Sequence, residues 1–270
     1  FLYLIQGFVQ SVASAIMPIM AHEVELCEDQ RALENLMENV WWPYSLKLLW
    51  APIVDFFPIC GGIKYHRRGF MIGSLFAIAL ISISTAVNWL SIDSGDACPN
   101  GGLLFAHLLP MIFFATVYDV ALDGLAIIAM KGPFIGYWSL IQVIGLHFGN
   151  SGGGVVFIMI KELLGADFIF YSLALLLVVA VPVTLSLPEN SSLTKDDAQL
   201  KSIRLAYYRL YEILCNKHAF NLGLYGLMLG LFWGSALSSE IAKKNIGWSL
   251  QNTIDAALIE TWIEVAMFAA

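Results

Sequence analysis

The chain has 270 residues, 59% of them hydrophobic and only 13% charged, with a formal net charge of −7. Soluble domains carry about a quarter charged residues, so a chain of mean hydropathy +0.73 has too little polar surface to cover its own core in water. A soluble globular domain is excluded, no nucleic-acid partner is expected, and the composition points to a polytopic membrane protein covered by lipid.

Eight segments are long and apolar enough to span: roughly 1–20, 39–58, 70–92, 102–129, 134–160, 166–187, 218–238 and 253–270. Each approaches the ~20 residues needed to cross ~30 Å. The first run, FLYLIQGFVQSVASAIMPIM, begins at residue 1 with no basic n-region and no cleavage site, so it reads as a span that has lost its natural start rather than a signal peptide. The chain also stops inside an apolar run, ALIETWIEVAMFAA, and looks like a fragment.

Loop charge sets the expected orientation. The loops after the second, fourth and sixth spans hold nine of the 14 basic residues, and those after the first, fifth and seventh hold four. The positive-inside rule puts the even loops and the N-terminal side in the cytosol. The first outer loop, HEVELCEDQRALENLME, is acidic and holds Cys27, while Cys98 lies in the second outer loop. In an oxidising compartment these two could form a disulfide; two unpaired thiols fit as well.

Residues 188–217 are the longest polar stretch, and their latter part alternates Ile203, Leu205, Leu210, Ile213 and Leu214 with basic residues, as an amphipathic helix does. Asn190-Ser191-Ser192 matches a glycosylation acceptor but falls on the cytosolic side, where it would go unused. The expected fold class is an all-α membrane protein. Its expected domains are a six-helix lobe (1–187), a cytosolic linker (188–217) and the first two helices (218–270) of an incomplete second lobe. This layout resembles a major facilitator-type bundle, which would need about four more helices than the chain contains.

Ionisable residues at membrane depth are costly and mark function by default. Lys47 lies eight residues before Asp55, about 12 Å from the cytosolic end of its span at 1.5 Å per residue. The fourth span runs the opposite way, and Asp123 lies eight residues before Lys131, which places Lys47 and Asp123 at similar depth. Asp119 shares the face of Asp123 by its i, i+4 spacing. Two readings fit: a charged site facing an aqueous cavity, with Lys47 receiving an anionic substrate, or a Lys–Asp lock between two helices. Asp55, followed by FFPICGGIKYHRRG, groups with Arg67 and Arg68 as a cytosolic gate. Pro43 and Pro52 are expected to bend the second span. Gly145 and Gly149 form a G-x-x-x-G spacing suited to close packing, and Gln142 and His147 are the polar residues of that helix able to reach a cavity.

WPYSLKLLWAPIVD (42–55) closely resembles the second-helix signature of the acetyl-coenzyme A transporters of the endoplasmic reticulum, and LYLIQG (2–7), DVALDG (119–124) and GYWS with spaced glycines (136–154) resemble the same family. Bacterial muropeptide permeases share a shorter version with a Lys, a Trp, a Pro and an Asp. The chain has Tyr118 where the family usually has Gln. The resemblance implies an endoplasmic reticulum exchanger that moves acetyl-CoA against CoA by alternating access. Lys47, Asp119 and Asp123 would be its substrate site, Gln6, Tyr118 and Gln142 its polar contacts, and Asp55, Arg67 and Arg68 its gate. No cofactor and no metal are expected. The alternative is a proton-coupled permease for a muropeptide, sugar or other small solute, with Asp119 and Asp123 as proton relay. A membrane-embedded acyltransferase would have only His147 and Asn150 to offer, so the chain is not expected to be an enzyme.

Overall fold

The computed structural model describes residues 1–23, 39–56, 66–92, 101–129, 135–187, 203–218, 221 and 224. The described residues contain helices and no strand: α1 (Leu2–Glu23), α2 (Trp42–Ser45), α3 (Lys47–Phe56), α4 (His66–Val87), α5 (Trp89–Ile92), α6 (Gly101–Ala129), α7 (Ile135–Leu164), α8 (Asp167–Ser186) and α9 (Ile203–Cys215). They fall into two compact units, one holding α1 to α8 and the other α9.

The first six expected spans correspond to α1, to α2 with α3, to α4 with α5, and to α6, α7 and α8. Arg67–Val87, Gly101–Ile127, Tyr137–Leu164 and Asp167–Ser186 are long and apolar enough to cross a membrane, and α1 adds 22 residues. The protein is an all-α, multi-pass membrane protein. The expected seventh and eighth spans lie outside the described residues but for isolated positions, as do Cys27 and Cys98. The amphipathic segment of the linker is helical, as α9.

Helix is the form such segments must take, because hydrocarbon offers no partner for backbone N–H and C=O groups. The long helices are apolar on both sides. On α4, Met71, Leu75 and Ile78 are buried while Phe76, Leu80, Ile83 and Val87 point outward; on α8, Phe170, Leu173 and Leu177 are buried while Leu175, Val178 and Val179 point outward. An apolar outer stripe of this kind suits lipid. Three buried hydroxyls are satisfied within their own helices: Ser82, Thr116 and Thr184 donate to the carbonyls of Ile78, Ile112 and Ala180 at 2.8, 2.8 and 3.0 Å.

α4 packs on both α6 and α8, α2 and α3 pack on α6, and α1 packs most extensively on α7. The α1–α7 seam is built on glycine. A Cβ at Gly149 would fall on the Leu4 carbonyl oxygen and 2.9 Å from Gly7 Cα, and one at Gly145 would lie 2.7 Å from Tyr3 Cβ. The G-x-x-x-G spacing therefore serves helix packing, with Gly7 as its counterpart.

The second span is not one bent helix. It is interrupted at Leu46, whose φ of −95° and ψ of 15° end α2, and Lys47 begins α3. Pro43 stands in the first turn of α2, a position proline tolerates, so the break falls three residues after it. The Trp50 indole N–H donates to the Pro43 carbonyl at 3.3 Å across the break. Pro52 lies inside α3.

Candidate functional site

Three helices and the interrupted span converge on Lys47. Because the chain breaks at Leu46, Lys47 opens α3 and its side chain reaches across to α6. There its Nζ meets Asp119 and, at 2.7 Å, Asp123 Oδ2. The two carboxylates are one helical turn apart, so a single ammonium bridges both. Asp119 is buried, with 2% of its side chain exposed, whereas Lys47 keeps 32% and Asp123 25%. The cluster is thus most deeply buried at Asp119 and partly exposed at Lys47 and Asp123.

Neighbouring helices complete the carboxylate coordination. Asp123 Oδ1 accepts from Tyr3 Oη at 2.5 Å and from Gln142 Nε2 of α7 at 3.0 Å. Asp119 Oδ1 accepts from Gln6 Nε2, which also donates to Tyr44 Oη of α2. Gln10 Nε2 donates to the same Tyr44 oxygen at 2.8 Å. Tyr3 packs its ring on Trp138, with centroids 5.0 Å apart, which fixes the hydroxyl toward Asp123. A Lys–Asp pair so supplied with donors is the kind that persists away from water.

Of the residues expected at the site, Lys47, Asp119, Asp123, Gln6 and Gln142 lie in this one network. Tyr118 does not join it: it is buried on α6, and its hydroxyl has no hydrogen-bond partner among the described residues. Tyr3, Gln10 and Tyr44 are additions. Tyr3, Gln6 and Gln10 follow one another at three and four residues on α1, so they share a face, and that spacing was the available signal.

Of the expected gate residues, Arg67 and Arg68 bond to helix carbonyls. Arg67 Nη1 donates to the Gly124 carbonyl at 2.6 Å, and a Cβ at Gly124 would come within 2.8 Å of Arg67 Nε, so the absence of a side chain admits the guanidinium. Arg68 donates to the carbonyls of Leu185 and Leu187 at the end of α8. Arg68 thus engages carbonyls at the C-terminal end of α8, where the helix dipole favours a cation, whereas Arg67 bonds to a carbonyl inside α6. The side chain of Asp55 lies outside what the structure describes. Among the described residues no group of His, Cys, Asp and Glu is placed to hold a metal.

Every residue of the network falls within positions 1–169, and that stretch matches the family model for acetyl-coenzyme A transporter 1. The chain belongs to that family. Its curated relatives include an uncharacterised membrane protein of Saccharomyces cerevisiae, 25% identical over 177 residues, which is 60% of this chain and 31% of that protein. An uncharacterised protein of Schizosaccharomyces pombe is 27% identical over 151 residues, 55% of this chain and 27% of that protein. The chain therefore spans less than a third of the length of these relatives. No solved structure matches it. The family match ends inside α8, so it covers the helices that carry the network and leaves out α9.

Proposed function

We propose that this chain is the N-terminal lobe (1–187), the cytosolic linker (188–217) and the start of the second lobe (218–270) of a transporter. Its cargo is acetyl-CoA, moved across an endomembrane, the endoplasmic reticulum, in exchange for CoA. Transport is by alternating access of a major facilitator-type bundle, with the N-terminal side in the cytosol. The observation that carries this reading is the Lys47 ammonium, held by two carboxylates on a side chain that remains partly exposed, within a segment that matches the acetyl-CoA transporter family.

Lys47 receives the anionic end of the cargo, Asp119 and Asp123 hold the ammonium in place, and Gln6, Gln142 and Tyr118 are polar contacts for the rest of it. Asp55, Arg67 and Arg68 form the cytosolic gate. A charge-assisted hydrogen bond contributes about 1.5 kcal/mol or more, so losing one reduces affinity at least about tenfold. Uptake of labelled acetyl-CoA into CoA-loaded proteoliposomes of the full-length protein should therefore fall at least about tenfold in Lys47→Gln, while Lys47→Arg retains part of it. Unchanged uptake in Lys47→Gln sinks the assignment.

The excess of carboxylates over ammonium favours a second reading, a proton-coupled permease for a muropeptide, sugar or other small solute. An imposed proton gradient separates the two, because it drives net accumulation by the permease and leaves one-for-one exchange without a driving force.

A further inference from the structure

Asp119 and Asp123 both face the single ammonium of Lys47, so the cluster with all three ionised carries one uncompensated negative charge. Among the described residues the other titratable groups bonded to or beside it are Tyr3 from α1, Tyr44 from α2 and Tyr118 on α6, none of them cationic. α7 contributes the neutral Gln142, and from α4 the Arg67 guanidinium reaches α6 at the Gly124 carbonyl, one residue past Asp123, without bonding to either carboxylate in the hydrogen bonds described. An uncompensated charge at membrane depth is expensive. It also repels a polyanionic cargo from the cation that is to receive it.

A second observation concerns the same carboxylate. Gln6 is 1% exposed, and one atom of its amide, Nε2, lies 2.5 Å from both Asp119 Oδ1 and Tyr44 Oη. The other amide atom, Oε1, is buried with no hydrogen-bond partner among the described residues. Tyr44 Oη accepts from Gln6 and Gln10, and neither bond uses its own hydroxyl proton. Half a turn of the Gln6 amide would place Oε1 between the same two groups. A carbonyl oxygen has two lone pairs, so it could then accept the Tyr44 O–H and, once Asp119 holds a proton, the Asp119 O–H as well. The amide N–H groups would turn to where Oε1 now lies. The network thus has one arrangement for an ionised Asp119 and another for a protonated one, and Gln6 exchanges them.

We propose that cargo binding at this site is accompanied by uptake of one proton on Asp119, with the Gln6 amide turning from donor to acceptor. The proposal rests on the reading of the Lys47 cluster as the substrate site. The proton comes from the solution on the side to which the site is open, and one O–H bond forms on Asp119. The cluster becomes neutral, and Lys47 is freed to turn toward the cargo's phosphates while Asp123 keeps Tyr3 and Gln142. In an exchanger both acetyl-CoA and CoA carry the proton. Exchange then depends on the pH of both compartments without being driven by the difference between them.

The test uses full-length protein in detergent under weak buffering. Proton uptake on adding acetyl-CoA is followed with a pH indicator, and infrared spectra of the ligand-free protein are titrated with acid. Uptake should approach one proton per acetyl-CoA bound, and a carboxylic-acid band should grow in on acidification. Asp119→Asn should remove both the band and the proton uptake. Gln6→Leu leaves both carboxylates in place and should shift the band. Binding by the wild type without proton uptake overturns the proposal, as does undiminished uptake in Asp119→Asn. If acetyl-CoA does not bind at all, the transport reading falls instead, and the infrared titration still decides the proton site: no band dependent on Asp119 means no such site.

Discussion

Lys47 occupies a position that a cation would avoid on local grounds. It is the first residue of α3, where the aligned peptide dipoles leave partial positive charge, and it is joined there to two carboxylates of another helix. The pair therefore governs the stability of this region as well as any cargo binding. Replacing Lys47 by Met should leave two carboxylates facing each other without a cation. The expected loss is toward the low end of roughly 3–5 kcal/mol, because Lys47 is partly exposed. Adding Asp119→Asn should recover part of that loss, and thermal unfolding of the four proteins in detergent measures the coupling. Additive losses would mean that the ammonium and Asp119 do not depend on each other. The Lys47–Asp123 partnership was legible beforehand because depth can be counted along helices of known rise. The contribution of Tyr44 was not, and Tyr3 was marked only by its spacing with Gln6 and Gln10 on α1. An aromatic residue in an apolar span looks the same whether it faces lipid, a neighbouring ring or a carboxylate, and only the rotation of α1 and α2 against α6 decides.

At the scale of elements, the glycines of α7 divide by what lies opposite them. Gly145, Gly149 and Gly153 face α1, whereas a Cβ at Gly152 or Gly154 would meet nothing within 4 Å. Gly149→Ala should push α1 off α7 and cost about 1–3 kcal/mol by overpacking, since the obstructing atoms are backbone. Gly152→Ala in the same helix should be neutral or stabilise by up to ~1 kcal/mol through helix propensity. Thermal unfolding in detergent reads both, and an equal effect of the two substitutions would remove the seam from the account. The spacing of Gly145 and Gly149 announced close packing, yet its partner Gly7 follows from no spacing on α7. The break at Leu46 was harder still to foresee. Pro43 and Pro52 predict a disturbance within 39–58, but proline is tolerated in a first turn, and the interruption falls between the two. Trp50 closes it by donating to the Pro43 carbonyl. Trp50→Phe should therefore cost about 1 kcal/mol even where the Phe113 ring contact, 5.1 Å between centroids, survives.

For the whole molecule the charge pattern of the loops decides which way the bundle sits, and α9 offers the means to test it. Nine basic residues follow the even spans against four after the first, fifth and seventh, and the retention of Lys and Arg on the cytosolic side would place residues 188–217 there. Cys215 closes α9 with an exposed, free thiol. Cys27 belongs to the acidic loop that the same rule places on the opposite side. Full-length protein is made with a single cysteine, at position 215 or at position 27, and the others replaced by serine. In sealed microsomes with the cytosolic face outward, a membrane-impermeant maleimide should label the Cys215 protein directly. The Cys27 protein should be labelled only after detergent opens the vesicles. The reverse pattern would invert the topology. The Lys47 cluster lies within the bundle and keeps its geometry either way, but inversion would take Arg67 and Arg68 off the cytosolic side and with them the cytosolic gate and acetyl-CoA entry proposed above.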